Sequence, residues 1–195
     1  MSTIHTIEAI EKNEDIEDAT EVRLAGNDVG DALEMVMERP LEVEGFYPVK
    51  LDGYGEGMRM LYANGEEVDY SVRTDRFTQQ LSEGCFYNMK MAQQYLSAQL
   101  QVKYRVPIPL GKDIMLVPFK TRAQLVKGDS VTGYVNWHAV ERVLSRGRIV
   151  LKSGREFPCL NKGRTVKQRM VQAQLGAVLM GKYYRAGYRG KGYRE

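Results

Sequence analysis

Cysteine and histidine are scarce, with two of each in 195 residues. Cys85 and Cys159 lie far apart, as do His5 and His138, so neither a disulfide framework nor a metal-ligand spacing can be read. No apolar run approaches the roughly 20 residues a membrane-spanning helix needs. The N-terminal stretch is acidic rather than basic and then apolar, unlike a secretory signal. The expectation is a cytoplasmic protein with reduced thiols. Nucleophile, zinc-protease and P-loop motifs are missing. The glycines at Gly53, Gly55 and Gly57 lack the strand-to-helix context of a dinucleotide loop. Two isolated histidines and scattered carboxylates form no recognisable acid–base pair. The chain therefore reads as a binding protein, not an enzyme, with no cofactor and no metal.

Acids are the other scarcity, in one region only. Residues 1–45 carry 13 acids and 3 bases, residues 46–116 carry 8 of each, and residues 117–195 carry 4 acids and 17 bases. The net charge of +3 hides this polarity. It implies an acidic arm and a basic half suited to a polyanion. Three segments follow: an acidic, flexible arm over 1–26, a folded domain over 27–181, and a basic tail over 182–195. In the tail, Tyr183, Tyr184, Tyr188 and Tyr193 alternate with Lys182, Arg185, Arg189, Lys191 and Arg194.

Within the domain, Asp31–Met37 alternates enough for a strand, with a helical turn left open. Leu41–Glu44 and Phe46–Leu51 read as two strands. Asn64-Gly65 between Met58–Tyr62 and Glu67–Val72 marks a hairpin. The period then lengthens: Phe86, Met89, Ala92, Leu96 and Leu100 predict a middle helix, ended by Pro107 and Pro109. Asp113–Phe119 reads as a strand broken at Pro118, followed by strands at Gln124–Lys127 and Val131–Val135. Trp137–Leu144 fits one more strand or a short helix. Val166, Met170, Ala173, Ala177 and Met180 form one apolar stripe, so a last helix is expected from Val166 to Met180, capped by Thr165 and stopped by Gly181.

The stretch Arg146–Met170 concentrates cations. Arg148–Lys152, the turn Ser153-Gly154 and Glu156–Leu160 read as a hairpin, followed by the basic loop Asn161–Arg164. Arg146, Arg148, Lys152, Arg155, Lys162, Arg164, Lys167 and Arg169 face a single acid, Glu156. Cations at a helix start are disfavoured by about 0.3–1 kcal/mol each, unless an anion docks there.

Residues from about Leu41 to Gly181 resemble the ComK family of competence transcription factors. The resemblance rests on Cys85-Phe86-Tyr87, Val106-Pro107-Ile108-Pro109, Ile114–Pro118, Gly133–Asn136, Arg148–Cys159 and the helix after Thr165. The small-residue, Gly-Arg run that follows the family's cysteine is replaced by Asn88–Gln94, and the family's middle cysteine and tryptophan are missing, although Trp137 lies close by. Tyr134–Met170 is also similar to a LytTR-type DNA-binding segment. The ComK resemblance implies an activator of competence genes that binds A/T-rich promoter sites, associates with itself on DNA and is controlled by a proteolytic adaptor.

The expected architecture is α+β, with an antiparallel β-rich core, a middle helix and a C-terminal helix. The expected function is sequence-specific binding of double-stranded DNA by a transcriptional activator. Lys152, Arg155, Lys162, Arg164, Lys167 and Arg169 are the first candidates for phosphate contact; Lys120, Arg122, Arg146 and Arg148 are the second. A general RNA-binding module is one alternative. A protein-interaction regulator that has lost DNA binding is the other. No membrane partner is expected.

Overall fold

The computed structural model describes residues 23–24, 29–84, 88–111 and 113–189, the side chains of 23–24 and 183–189 excepted. Most of the acidic arm, the Cys85–Tyr87 landmark and the end of the tail lie outside these residues.

Ten strands and four α-helices are formed among the described residues. In chain order they are β1 (Arg23–Leu24), α1 (Val29–Glu38), β2 (Val43–Leu51), β3 (Gly55–Tyr62), β4 (Glu67–Tyr70), α2 (Thr74–Gly84), α3 (Met89–Leu100), β5 (Ile108–Pro109), β6 (Met115–Lys120), β7 (Thr132–Asn136), β8 (Val140–Val143), β9 (Ile149–Leu151), β10 (Glu156–Phe157) and α4 (Gly163–Arg189). A central sheet has the order β1-β4-β3-β2-β7-β6-β5, and a small sheet the order β10-β9-β8. Only β1 joins its neighbour in parallel; the other pairings are antiparallel. The fold is α+β.

The two-residue period of the strands sends side chains to two separate cores. On one face Phe46, Met58, Met60, Val68 and Leu116 meet Ala32 and Val36 of α1 and Phe77 and Leu81 of α2. Phe46 and Phe77 are fully buried and meet edge to face, with ring centres 5.0 Å apart. On the other face Met115, Val117, Phe119 and Val135 meet Ile149, Leu151 and Phe157 of the small sheet and Val166 and Ala173 of α4. Leu96, Val106 and Met180 make a third cluster that joins α3 to α4. Removing a buried aromatic such as Phe77 costs about 3–5 kcal/mol.

Several local expectations are corrected. Asp31–Met37 is helical, because Ala32 and Val36, four apart, both enter the core. The polar stretch after Arg73 is the helix α2, with Phe77, Thr78, Leu81 and Ser82 on its buried side. The predicted break at Gly45 is absent: β2 runs through it, with a register shift between Val43 and Gly45. A methyl group on Gly45 would stand 2.7 Å from the Tyr134 carbonyl and 3.1 Å from the Phe157 ring, so glycine is what lets the small sheet close on the large one. Gly55 and Gly57 fall inside β3, and β6 continues through Pro118. Gln124–Lys127 is a turn, not a strand. Trp137–Leu144 takes both forms, a 3-10 turn at Trp137–Ala139 and then β8.

The last helix begins at Gly163 instead of Val166, with the Lys162 carbonyl accepting from Val166 N at 3.1 Å. It also passes through Gly181 to Arg189. Met180, just before Gly181, is buried against Leu96 and Val106, while Gly181 itself has open space around it.

Candidate nucleic-acid interface

The hairpin β9–β10 is fixed to the central sheet by two acids. Glu44 of β2 is fully buried, and its carboxylate accepts from Ser153 N at 2.8 Å and from the Ser153 hydroxyl. Glu67 of β4 accepts from Arg155 Nη1 at 2.6 Å and from Arg59 Nη1 at 3.2 Å. Arg59 in turn forms a two-point pair with Asp69 at 2.6 and 2.9 Å, and that carboxylate raises the Arg59 pKa above its ordinary value. Arg155 therefore belongs to a structural network between the sheets.

A second contact builds the cationic surface. Gly147, with φ 89°, lies against Gly163: a methyl group on Gly147 would stand 2.8 Å from the Gly163 Cα. A side chain at either position would separate the turn Ser145–Gly147 from the first turn of α4. Close approach of the two glycines sets Arg146 beside Lys162 and Arg164, with Lys167 one turn further along the helix. All four side chains are exposed. Among the described residues no carboxylate pairs with any of them. The first turn of α4 holds no acid, so its positive end and four cations face solvent together.

Lys120 is tied to the loop before α4 by its backbone alone. Lys120 N donates to Asn161 Oδ1 at 2.7 Å, and its carbonyl accepts from Leu160 N at 2.7 Å. The structure thus gathers Arg146, Lys162, Arg164 and Lys167; the Lys120 side chain, in step with Leu116 and Pro118 along β6, lies on the opposite face of the sheet from α4. Lys152 is exposed but sits beyond the far end of β9 from Gly147, up to about 16 Å away at roughly 3.3 Å per residue. Arg148 forms a two-point pair with Glu156, which lowers the Glu156 pKa. Arg122 is held by Glu56 and by the Ser130 carbonyl, the latter at 2.8 Å. Arg169 is half-buried, donates to the Pro118 carbonyl at 2.7 Å and lies over the Phe119 ring at 5.6 Å. Four of the expected cations are thus free to meet a ligand as a group, while Arg122, Arg148, Arg155 and Arg169 already have partners in the fold.

Beside Lys120 lies a feature the sequence reading missed. Lys120 pairs across the sheet with Thr132, and Thr132 Oγ1 accepts from Arg105 Nη1 at 3.2 Å. Thr132, Tyr134 and Pro118 line a cavity of about 510 Å³ walled by α3 and by Lys103–Ile108. Its cations are Lys90, Lys103 and Arg105, and no acid lines it among the described residues. Lys103-Tyr104-Arg105 is visible in the sequence as an aromatic between two cations. What could not be read there is that α3 folds back to add Lys90.

Among the described residues no group of three His, Cys, Asp or Glu is placed to hold a metal ion, and no helix is long and apolar enough to cross a membrane. Comparison with known proteins finds no matching family model, no similar curated protein and no similar solved structure.

Proposed function

We propose that this chain binds double-stranded DNA through the start of α4 and the Ser145–Gly147 turn packed against it, and acts as a transcriptional regulator. One observation carries the reading: Arg146, Lys162, Arg164 and Lys167 converge, exposed, on the positive end of a long helix that offers them no acid. Such a surface fits a phosphate backbone, where released counterions drive binding. The resemblance to ComK and LytTR-type proteins favours a sequence-specific activator acting on A/T-rich promoter sites, self-associating on DNA and subject to adaptor-mediated proteolysis. Arg146 is the residue of the cluster best suited to enter a narrowed minor groove, since it projects from a turn rather than from the helix.

The test is fluorescence anisotropy with labelled promoter-type duplex at several salt concentrations. Four phosphate contacts predict a slope of log K against log salt of about −3 to −4. Arg164→Ala with Lys167→Ala reduces the slope by about 2. An unchanged slope and affinity in that double variant rules out this placement. Binding that excess random duplex titrates away marks a general nucleic-acid binder instead.

A further inference from the structure

The cavity between α3, β5, β6 and β7 is a second cationic site, separate from the first turn of α4. Lys90 and Lys103 reach it from the two ends of the α3 region, and Arg105 from the segment before β5. Gln93, Gln94 and Ser97 of α3 add hydrogen-bonding groups, and Val106, Ile108 and Pro118 add an apolar wall. A volume of about 510 Å³ is in the range of small-ligand sites. Lys90 stands in the first turn of α3, which contains no acid, where a cation is disfavoured unless an anion is near.

Arg105 is the most informative residue. It holds φ 55°, a left-handed backbone that a non-glycine residue adopts at a cost. The side chain is exposed, and its hydrogen bond is to a neutral hydroxyl, Thr132 Oγ1. Burial, then the charge of Arg105, holds the Arg169 guanidinium below its ordinary pKa, so two like charges approach one another here. Folding alone favours glycine at 105, and among the described residues no carboxylate pairs with the Arg105 guanidinium. A bound anion supplies that missing partner. Tyr134 is the aromatic in the cavity lining.

We infer that this cavity binds a phosphate-bearing ligand of mononucleotide size, with Lys90, Lys103 and Arg105 on the phosphate and the apolar wall and Tyr134 beside the base. The phosphate belongs either to a free nucleotide or to one nucleotide of a nucleic-acid strand. The site does not depend on duplex binding by α4.

Calorimetric titration of the full chain with adenosine monophosphate, adenosine and inorganic phosphate tests it, alongside a short single-stranded oligonucleotide. The expected result is binding of the monophosphate at least tenfold tighter than of adenosine. Lys103→Ala with Arg105→Ala weakens it at least tenfold, while Arg164→Ala with Lys167→Ala leaves it unchanged. Arg105→Gly guards against a folding artefact: glycine suits φ 55°, so this variant melts no lower than the parent yet binds the monophosphate more weakly. Competition between monophosphate and oligonucleotide, with both weakened by the cavity variants, assigns the site to a strand. Binding of the monophosphate alone assigns it to a free nucleotide. If no phosphate-bearing probe binds, or if the cavity variants bind all of them like the parent, the inference is overturned, whatever the duplex measurements give.

Discussion

Arg169 of α4 donates a hydrogen bond from Nη1 to the carbonyl of Pro118 at 2.7 Å, and the same guanidinium lies 5.6 Å from the centre of the Phe119 ring. A carbonyl on the outer side of β6 thus finds its donor in a helix 51 residues later in the chain. The contact ties the front of α4 to the central sheet and sets which way Arg164 and Lys167 face.

Arg169→Ala leaves the Pro118 carbonyl without this donor and removes the ring contact. The expected loss is about 1.5–3 kcal/mol, the range for an orphaned buried acceptor plus a partly desolvated cation–ring contact. Arg169→Lys restores only part of it, since an ammonium lacks the planar fork. Urea denaturation followed by fluorescence of Trp137 measures both; a loss under 0.5 kcal/mol for the alanine variant rejects the role.

Glu44 ties the hairpin to the large sheet through Ser153 N at 2.8 Å and the Ser153 hydroxyl. Glu44→Ala strands a backbone donor at a buried position, with an expected loss of about 2–3 kcal/mol. Glu44→Gln keeps one acceptor and loses less. Hydrogen exchange reads the local effect: the Ser153 amide loses protection in both variants before the strands of the central sheet do. Equal protection in parent and variants contradicts it.

Asp129 carries the pH dependence. The backbone N–H of Val126, then that of Leu125, and the Lys50 ammonium hold its carboxyl at about 2; Oδ2 accepts both amides at 3.0 Å, and Lys50 Nζ lies 3.2 Å from Oδ1. The unfolded value is about 3.9. The depressed pKa means that this stabilisation is complete above about pH 4 and fades as pH falls through about 2. Carbon-detected titration of Asp129 should give a midpoint well below that of an ordinary aspartate, with the Leu125 and Val126 amide shifts following it. A midpoint near 3.9 removes the basis for it.

Gly147→Ala attacks the contact that assembles the cationic cluster. The new methyl group meets the Gly163 backbone at 2.8 Å, and φ 89° is unfavourable for alanine. The expected cost is about 1–3 kcal/mol of stability, together with a fall in duplex affinity as Arg146 moves away from Lys162 and Arg164. Gly154→Ala, at φ 86° but with open space around it, serves as the comparison: it strains a turn yet leaves duplex affinity unchanged. If both variants bind alike, the Gly147 contact does not shape the interface.

The α+β class, the Asn64-Gly65 hairpin and the β9–β10 hairpin were legible in the sequence because each rests on local chemistry: alternation, and glycine at a positive φ. Helices α1 and α2 were harder, since each shows the core only a narrow face. Ala32 with Val36, and Phe77 with Leu81, are too few for periodicity to stand out. The cationic cluster was half legible. Counting arginines and lysines identified the region, but not which of them find acids. Arg155 and Glu67 are 88 residues apart and Arg122 and Glu56 are 66 apart, and no local pattern joins such pairs. Lys90, Lys103 and Arg105 went unnoticed because they are spread over 16 residues inside a stretch, 46–116, whose acids and bases cancel, although residues 84–112 themselves hold four bases and no acid; the three meet only when α3 packs beside β5.

Pro118 has a consequence for how the molecule behaves in a crowd. β5 covers only the Met115–Leu116 end of β6; beyond it the Pro118 carbonyl is taken by Arg169, and the Lys120 amide and carbonyl by Asn161 and Leu160. Pro107, Pro109 and Pro118 all fall along or beside this sheet border, and none has an amide hydrogen to offer. A foreign strand laid against this border would meet gaps in its ladder and a carbonyl already taken. The border is thereby blunted against fibre-like polymerisation, at the very place where the chain leaves a groove open.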